Sequence, residues 1–484
     1  MDAITSDVPA RLDRLPWSRW HWKVVVALGV SWLLDGLEVT VVGALGPTLG
    51  RDDTLGLSAA HVGWAASTYI AGAVLGALVF GRLADHLGRK RMFLATLAVY
   101  LFATVLTAFS FNFASFAFCR FLTGFGIGGE YAAINSAIDE LIPARVRGAV
   151  DLGINGTFWV GAALGAAMSI FLLDPSLVNP QYGWRLAFGL GAILGFAILL
   201  VRRHVPESPR WLIRHGRIAE AERIVTSIEQ EIGVEKTATT AGLAMRAIPA
   251  VPWKEILHHL LHRFRKRTIL GLSLMAAQAL FYNAIFFTYA LVLSRFYGVP
   301  DERVGYYIFP FAIGNFLGPL VLGRLFDSIG RRRMIAASYG IAGLALLATG
   351  YLFSRDAITA SQLALLWSAT FFVASAAASS AYLTVSEIFP VEMRAVAISL
   401  FYAAGTALGG LAGPPLYGTI IESGSRAALF GAYALAALLM CGAALVALML
   451  GVDAERKPLE EVCAPLGADP VSPAATNPAP ASRR

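Results

Sequence analysis

The chain has 484 residues, of which 57% are hydrophobic and 15% are charged, and its formal net charge is +7. About a quarter of the residues in an ordinary soluble domain are charged, so the composition excludes a soluble globular protein. The basic residues are concentrated in alternate loops between long apolar segments, which is the charge pattern of a membrane protein. The net charge therefore gives no support to nucleic acid as a partner.

Twelve apolar segments are long enough to cross the hydrocarbon core of a bilayer, which takes about 20 helical residues. In chain order they are residues 24–46, 61–80, 92–110, 114–141, 149–173, 184–203, 268–294, 303–322, 334–353, 361–388, 396–421 and 428–451. We therefore predict an all-α integral membrane protein with twelve transmembrane helices in two six-helix bundles.

The spacing of the segments predicts four regions. They are an N-terminal bundle with a polar arm (1–203), a central loop (204–267), a C-terminal bundle (268–453) and a tail (454–484). The stretch from Ile218 to Ile232 in the loop is amphipathic and suits a surface helix. Residues 464–484 are rich in Pro, Ala and Ser, so we expect them to be disordered. Since the basic side of the membrane would hold both chain ends and the central loop, we expect both termini in the cytoplasm.

The strongest pattern in the chain is an internal repeat. The run Gly-Arg-Leu-Ala-Asp-His-Leu-Gly-Arg-Lys-Arg-Met at 81–92 returns at 323–334 with eight of twelve positions identical. A second pair, at 140–148 and 387–395, shares the core Glu-x-x-Pro-x-x-x-Arg. Both pairs fall between corresponding helices, as two duplicated six-helix halves would place them.

These motifs resemble the major facilitator superfamily. The helix-4 run Arg120-x-x-x-Gly124-x-Gly126-x-Gly128 and the run 206–212, Pro-Glu-Ser-Pro-Arg-Trp-Leu, are similar to its sugar-porter and metabolite:proton symporter branch. The resemblance covers nearly the whole chain. It implies a secondary active transporter that works by alternating access in the cytoplasmic (inner) membrane.

The expected partners are a small-molecule substrate and the lipid bilayer, and we expect a monomer. The sequence has no phosphate-binding loop, no paired cysteine spacing and no nucleophile constellation. We therefore expect no enzymatic activity, no metal and no cofactor, with the proton as the coupling ion.

The repeated motifs also carry matched charges at the helix ends. They are Asp85, Arg89, Glu140 and Arg147 in the first half and Asp327, Arg331, Glu387 and Arg394 in the second. Wet ion pairs contribute about 0–1 kcal/mol each, so such a set can open and close as a cytoplasmic gate. The alternative is that these charges only orient the chain in the membrane.

Four ionisable side chains fall inside predicted membrane helices, where each costs several kcal/mol and so points to a function. Asp35 and Glu38 are three residues apart on one face of helix 1, and Glu38 and Arg120 are predicted at similar depths. The string Asp35-Gly-Leu-Glu38 is similar to the Asp-Gly-x-Asp motif of aromatic-acid:proton symporters. That likeness implies Glu38 as the proton site, assisted by Asp35, with a structural ion pair to Arg120 as the alternative. Glu130 is a second proton or cation site, or a structural hydrogen-bonding group.

Helix 7 supplies the candidate substrate contacts. Gln278, Tyr282 and Tyr289 recur on one helix face with Asn283 beside it, and an aromatic packing seam is the alternative. Sugar porters carry Gln-Gln-x-x-Gly-x-Asn here, and only Gln278 and Asn283 match that run. Tyr382 stands where helix 10 of sugar porters has a tryptophan.

Several hydrogen-bond partners of a hexose are therefore missing from the candidate site. We favour symport of a proton with a small organic or aromatic acid, whose charge Arg120 could help to neutralise. A sugar or polyol:proton symporter is one alternative, and a transporter-like solute sensor is another.

Overall fold

The computed structural model describes residues 3–143, 145–174, 176–202, 206–234, 243–246, 252–390, 393–455, 457 and 459–463. Its helices are α1 (Val8–Arg14), α2 (Arg19–Leu49), α3 (Ala59–Leu87), α4 (Arg89–Ala108), α5 (Phe113–Leu141), α6 (Arg147–Leu172), α7 (Pro180–Arg202), α8 (Pro209–Arg214), α9 (Ile218–Ile232), α10 (Trp253–His258), α11 (Arg265–Phe286), α12 (Tyr289–Tyr297), α13 (Asp301–Ser328), α14 (Arg331–Ser354), α15 (Ala360–Glu387), α16 (Arg394–Gly410), α17 (Gly413–Glu422), α18 (Arg426–Leu450) and α19 (Leu459–Val462). A π-helical turn, His259–Arg263, follows α10, and two strands, β1 (Ala3–Ser6) and β2 (Leu243–Arg246), form an antiparallel ribbon.

Every predicted span is present as a helix, and two of them are broken. The seventh span consists of α11 and α12, and the eleventh consists of α16 and α17. Pro414 and Pro415 lie in the first turn of α17 and lack the N–H groups that would continue the hydrogen-bond ladder from α16. Within the described residues, nine helical spans are long and apolar enough by themselves to cross a membrane. The predicted all-α membrane class is confirmed, and the ribbon is an addition that the sequence did not indicate.

Close helix contacts in the first half depend on glycine. A Cβ atom added to Gly124 or Gly128 of α5 would lie 1.9 Å from the main-chain oxygen of Tyr69 or Ala73 in α3. The backbones of α3 and α5 therefore touch, as in other membrane helix pairs with small residues at the contact. Gly36 of α2 faces the main-chain oxygen of Phe158 in α6 in the same way. These contacts fix the rotation of α2 and α5, which carry the intramembrane charges.

The two halves meet along two seams. Helix α3 packs against α16 and α17, and α6 packs against α13. On the first seam the Ser67 hydroxyl donates to the Leu411 main-chain oxygen at 2.8 Å, and the Ala60 main-chain N–H donates to Glu422 Oε1 at 2.9 Å. Between the seams lies a cavity that both halves line.

We call the membrane side that bears the loops 81–92 and 323–334 the motif side. There α1 packs on α8 and α9 and buries Val8 and Leu12. Arg11 lies between two acids of α9, at 2.5 Å from Glu229 and 2.7 Å from Glu222. The hydrogen bond to Glu229 raises the pKa of Arg11 above its ordinary value, although burial acts in the opposite direction. The predicted amphipathic helix is therefore present as α9, with the N-terminal arm clamped to it.

Residues 464–484 lie outside the described residues, so the disorder expected of the tail stays a prediction. The same holds for the four predicted region boundaries, since the helices alone do not define domains.

Candidate functional site

Glu38 and Arg120 form a buried ion pair between α2 and α5. Arg120 Nη2 lies 2.5 Å from Glu38 Oε1, and each side chain is 2% exposed. The same nitrogen donates to the hydroxyls of Thr107 at 3.2 Å and Thr123 at 3.0 Å. The structure thus joins the two residues that the sequence placed at similar depths.

The surroundings of this pair are apolar. The Arg120 guanidinium carbon lies 5.0 Å from the ring centroid of Phe188 and 5.9 Å from that of Phe116. Attraction between the charges has to offset the loss of water from both of them. A change in the charge of either partner therefore has a large effect on how α2 and α5 fit together.

The other intramembrane acids lie in the same neighbourhood. Asp35 and Glu130 are each 1% exposed. The Tyr100 side chain on α4 interacts electrostatically with Asp35, Glu38 and Glu130. The predicted proton-coupling residues are therefore all buried in the first half of the protein, with the three acids near Tyr100.

The central cavity has a volume of about 170 Å³. Its lining residues are Trp32, Val39, Tyr69, Ile70, Ala73, Tyr131, Asn155, Phe158, Trp159, Gln278, Ala279, Tyr282, Asn283, Phe286, Phe287, Ser375, Ala378, Ser379, Tyr382, Tyr402 and Thr406. Aromatic side chains make up about half of the wall, and none of these described lining residues carries a charge. The cavity can therefore stack a flat solute and can offer it neutral hydrogen-bonding groups.

Four of the five predicted substrate residues line this cavity, namely Gln278, Tyr282, Asn283 and Tyr382. Tyr289 is not among the residues that the structure places there. It is 3% exposed, and its hydroxyl donates to the Tyr307 main-chain oxygen at 3.0 Å. The prediction assumed one continuous helix, but the break between α11 and α12 changes the face on which Tyr289 lies.

Arg120 also lies elsewhere than the substrate hypothesis required. It is absent from the described cavity wall and is paired with Glu38 instead. The suggestion that Arg120 neutralises the charge of a bound solute therefore has no geometric support. The described cavity wall itself offers neutral hydrogen-bond donors.

Two wall residues on α11 have fixed hydrogen-bond partners. The Tyr282 hydroxyl donates to Asn315 Oδ1 at 2.9 Å, and Asn315 Nδ2 in turn donates to the Phe311 main-chain oxygen at 2.9 Å. Asn283 Nδ2 donates to the Ala279 main-chain oxygen at 2.8 Å. These bonds hold the side chains in single orientations toward the cavity.

Several wall residues were not predicted from the sequence. Tyr131 of α5 stacks on Tyr402 of α16 with 4.4 Å between ring centroids, and Tyr382 lies 6.0 Å from Tyr131. This tyrosine cluster joins the two halves at the cavity. Trp159 contributes a further ring from α6. Their helices are apolar on most faces, so hydropathy did not show which face meets the cavity.

The predicted gate charges form ion pairs within each half. Arg331 is 4% exposed and binds both oxygens of Glu387, at 3.1 and 3.3 Å, and it lies 3.2 Å from Asp327. In the first half Arg89 lies 3.5 Å from Glu140. The pairs with Glu387 and Glu140 each tie a motif loop to the end of a neighbouring helix in the same half, whereas the pair with Asp327 lies within the loop.

The remaining gate residues are described less fully. Arg394 donates from Nη2 to the Phe389 main-chain oxygen at 3.3 Å. The side chains of Asp85 and Arg147 lie outside the described residues. Their proposed roles therefore rest on the repeat alone.

Two further acids bind the motif loops and were not singled out in the sequence. Glu207 Oε1 accepts the main-chain N–H of Arg89 at 2.9 Å. Glu455 Oε2 accepts a hydrogen bond from the main-chain N–H of Arg331 at 3.4 Å. Because the same loop is capped in both halves, the repeat extends beyond the residues that are identical in sequence.

Two helical halves that meet along two seams and line one cavity between them are the arrangement of a membrane transporter. A family model described as sugar (and other) transporter matches residues 25–463. The chain belongs to this family, within the major facilitator superfamily. It is a multi-pass membrane transporter of small molecules and not an enzyme, which confirms the predicted class.

Similar proteins include two bacterial carriers. The chain is 26% identical over 460 residues to the niacin transporter NiaP of Acinetobacter baylyi, covering 94% of this chain and 99% of that one. It is 28% identical over 419 residues to the gallate transporter of Pseudomonas putida, covering 86% and 89%. The solved structure of the proton:xylose symporter XylE bound to 6-bromo-6-deoxy-D-glucose has the same fold, with a TM-score of 0.72, 18% identity and coverage of 92% and 98%.

Proposed function

We propose that this transporter symports a proton with a small organic acid, in the first place a single-ring aromatic acid, by alternating access. One observation carries the proposal. Helix α2 supplies Val39 to the wall of the aromatic cavity and, at the next position, Glu38 to the buried pair with Arg120. A change of charge at Glu38 therefore acts on a helix that also lines the cavity.

The cavity supports the substrate class. A cavity of about 150 Å³ holds one benzene ring, so about 170 Å³ suits a solute with a single ring. The aromatic walls can pack against that ring face to face or edge to face. The amide of Gln278 and the hydroxyls of Ser375 and Ser379 are neutral donors for its carboxylate. The names of two relatives, the niacin and gallate transporters, refer to single-ring acids.

The ion pair supports the coupling. An ionised Glu38 attracts Arg120 across the α2–α5 contact. A proton on Glu38 cancels that attraction and leaves Arg120 with the hydroxyls of Thr107 and Thr123. The two protonation states therefore favour different fits of α2 against α5, which is what coupling of proton and solute requires. Asp35 assists this step, and Glu130 is the second candidate site for the proton.

In this scheme the motif-side ion pairs act as the cytoplasmic gate. The motif side and both chain termini therefore face the cytoplasm. The Arg331–Glu387 and Arg89–Glu140 pairs are closed in one state and open in the other as the halves rock about the seams. One chain forms the whole cavity, so a monomer is sufficient. The proposed carrier uses the proton as its coupling ion and needs no cofactor.

A sugar or polyol:proton symporter is the second candidate. It is favoured by Gln278 and Asn283, the two positions that match the sugar-porter run, because both line the cavity. The cavity wall thus contains part of a sugar-type site beside its aromatic surface.

Uptake into liposomes containing the purified carrier tests both candidates. With an alkaline interior, nicotinate, 4-hydroxybenzoate and gallate are compared with xylose and myo-inositol, each with and without a protonophore. We expect accumulation of at least one ring acid that the protonophore abolishes. Accumulation of a sugar or polyol alone would replace the first candidate with the second, and accumulation that ignores the protonophore would contradict proton coupling.

A further inference from the structure

Asn155 and Asp151 form a polar pair on α6 at the cavity wall, and the proposed proton coupling does not use them. Asn155 lines the cavity. Its Nδ2 donates to the Asp151 main-chain oxygen at 3.0 Å and to Asp151 Oδ2 at 3.2 Å. Asp151 is one turn earlier on the same helix face and is 4% exposed. The two side chains therefore form a unit that connects a buried carboxylate to the solute space.

The bonding partners determine which way the Asn155 amide faces. A main-chain carbonyl only accepts hydrogen bonds, so Nδ2 and not Oδ1 of Asn155 faces the Asp151 main-chain oxygen. If the amide turned over, Oδ1 would face these two acceptor oxygens, and both hydrogen bonds from Nδ2 would be lost. Asp151 therefore holds the amide nitrogen toward itself and turns Asn155 Oδ1 away.

The opposite wall has a similar arrangement. Asn283 Nδ2 donates to the Ala279 main-chain oxygen at 2.8 Å, so its Oδ1 is the atom left for a solute. Asn155 comes from the first half of the chain and Asn283 from the second, and both line the cavity. In each of these two wall residues Oδ1 is thus an acceptor that the bonds of Nδ2 do not use, and both residues favour a solute that carries hydrogen-bond donors.

The internal repeat does not duplicate the pair on α6. Aligning Arg147 with Arg394 places Ile398 and Tyr402 at the positions equivalent to Asp151 and Asn155. Tyr402 also lines the cavity, but Ile398 has no polar group to orient it. The buried carboxylate is therefore a specific feature of the first half, consistent with a role in recognising one side of an asymmetric solute.

We propose that Asp151 is a positioning residue that fixes Asn155 Oδ1 as the acceptor for a ring hydroxyl of the solute. The carrier then prefers a hydroxylated aromatic acid to the same acid without the hydroxyl. This inference rests on the proposed function and narrows its substrate class. An acid that lacks the hydroxyl leaves a fixed acceptor unpaired inside the cavity, and sites built for a hydroxyl reject such analogues strongly.

The test compares benzoate with 4-hydroxybenzoate in liposomes that contain purified wild-type or variant carrier. We expect a wild-type KM for 4-hydroxybenzoate that is about tenfold or more below that for benzoate. Asp151→Leu and Asn155→Leu should bring the two KM values to within about threefold of each other. Asp151→Asn keeps a side-chain oxygen that accepts the Asn155 amide, so it should retain most of the preference.

The matched control lies on the same helix. Ser169 is a buried polar residue whose hydroxyl donates to the Gly165 main-chain oxygen at 2.6 Å, and it is outside the described cavity wall. Ser169→Ala should keep the wild-type KM ratio. A general disturbance of α6 would change the ratio in this variant too, and that result would overturn the assignment to Asp151.

The outcomes separate this inference from the function on which it rests. Uptake of both acids with a wild-type KM ratio in Asp151→Leu and Asn155→Leu overturns the inference and leaves the proposed function standing. Uptake of neither acid by the wild type, with a sugar carried instead, overturns both. If Asp151→Leu yields no folded carrier, the comparison of Asp151→Asn with Asn155→Leu decides, because equal ratios in those two variants contradict the proposal.

Discussion

Val39 lines the central cavity, and the next residue toward the N-terminus, Glu38, points to Arg120 in a buried ion pair. Successive residues of a helix are about 100° apart around its axis, so α2 presents one face to the solute and the adjoining face to α5. The solute site and the charged pair are thus parts of one helix. The stability of the pair and the chemistry of the cavity can be tested separately.

The first prediction concerns the ion pair. Arg120→Leu leaves Glu38 buried without its cationic partner, so we expect a loss of about 3–5 kcal/mol of stability. Glu38→Gln combined with Arg120→Leu removes both charges and should be markedly more stable than Arg120→Leu alone. Thermal unfolding of the wild type, Arg120→Leu, Glu38→Gln and the double variant gives the coupling energy between the two residues. If the stability losses of the two single variants add up to the loss of the double variant to within about 0.5 kcal/mol, the two residues do not interact.

The second prediction concerns the cavity wall. Tyr382→Ala removes a ring that lines the cavity, so we expect the KM of the transported acid to rise about three- to tenfold. Tyr289→Phe removes a hydroxyl that donates to the Tyr307 main-chain oxygen outside the described wall, so it should leave that KM unchanged. Initial rates of uptake measure both values. An equal rise in KM for the two variants would contradict the placement of Tyr289.

The third prediction concerns helix contact. Gly128→Val puts side-chain atoms where the main-chain oxygen of Ala73 lies, 1.9 Å from the position of an added Cβ. We expect this variant to lose about 3 kcal/mol or more, since overpacking against backbone cannot relax by a rotamer change. An added Cβ at Gly189 on α7 meets no described atom within 4 Å, so Gly189→Ala is the matched control. The yield of monodisperse protein after size exclusion is the readout, and equal yields would be evidence against the α3–α5 contact.

The fourth prediction compares the two acids bound to Arg331. Glu387 is the more buried of them, with 9% of its side chain exposed against 28% for Asp327. We expect Glu387→Gln to lower stability by about 2–3 kcal/mol, because a charge-assisted bidentate contact is lost. Asp327→Asn should cost no more than about 1 kcal/mol. Unfolding temperatures in the reverse order would show that burial does not set the strength of these pairs.

The elements that the sequence predicted are those that depend on length and depth. About 20 apolar residues are needed to cross a bilayer, so each span could be located by counting. Depth also follows from counting, and it brought Glu38 and Arg120 to the same level before the structure joined them. Arg331 and Asp327 are four residues apart across the short turn between α13 and α14, so their contact likewise follows from closeness in the sequence.

Rotation about the helix axis was harder to predict. Tyr131 and Tyr402 stack across the two halves, yet their helices are apolar on most faces and show no periodicity that selects those residues. The position of Tyr289 outside the described cavity wall has a related cause. No glycine or proline marks the break after Phe286, so the sequence indicated one straight helix where the structure has two.

The most direct test of the central claim separates net uptake from exchange. Liposomes containing Glu38→Gln carrier are assayed for uphill uptake driven by a pH gradient, and then for exchange of labelled for unlabelled solute without a gradient. Because a glutamine cannot release a proton, we predict that uphill accumulation is lost while exchange persists. Accumulation by Glu38→Gln carrier at the wild-type level would contradict the assignment of Glu38 as the proton site.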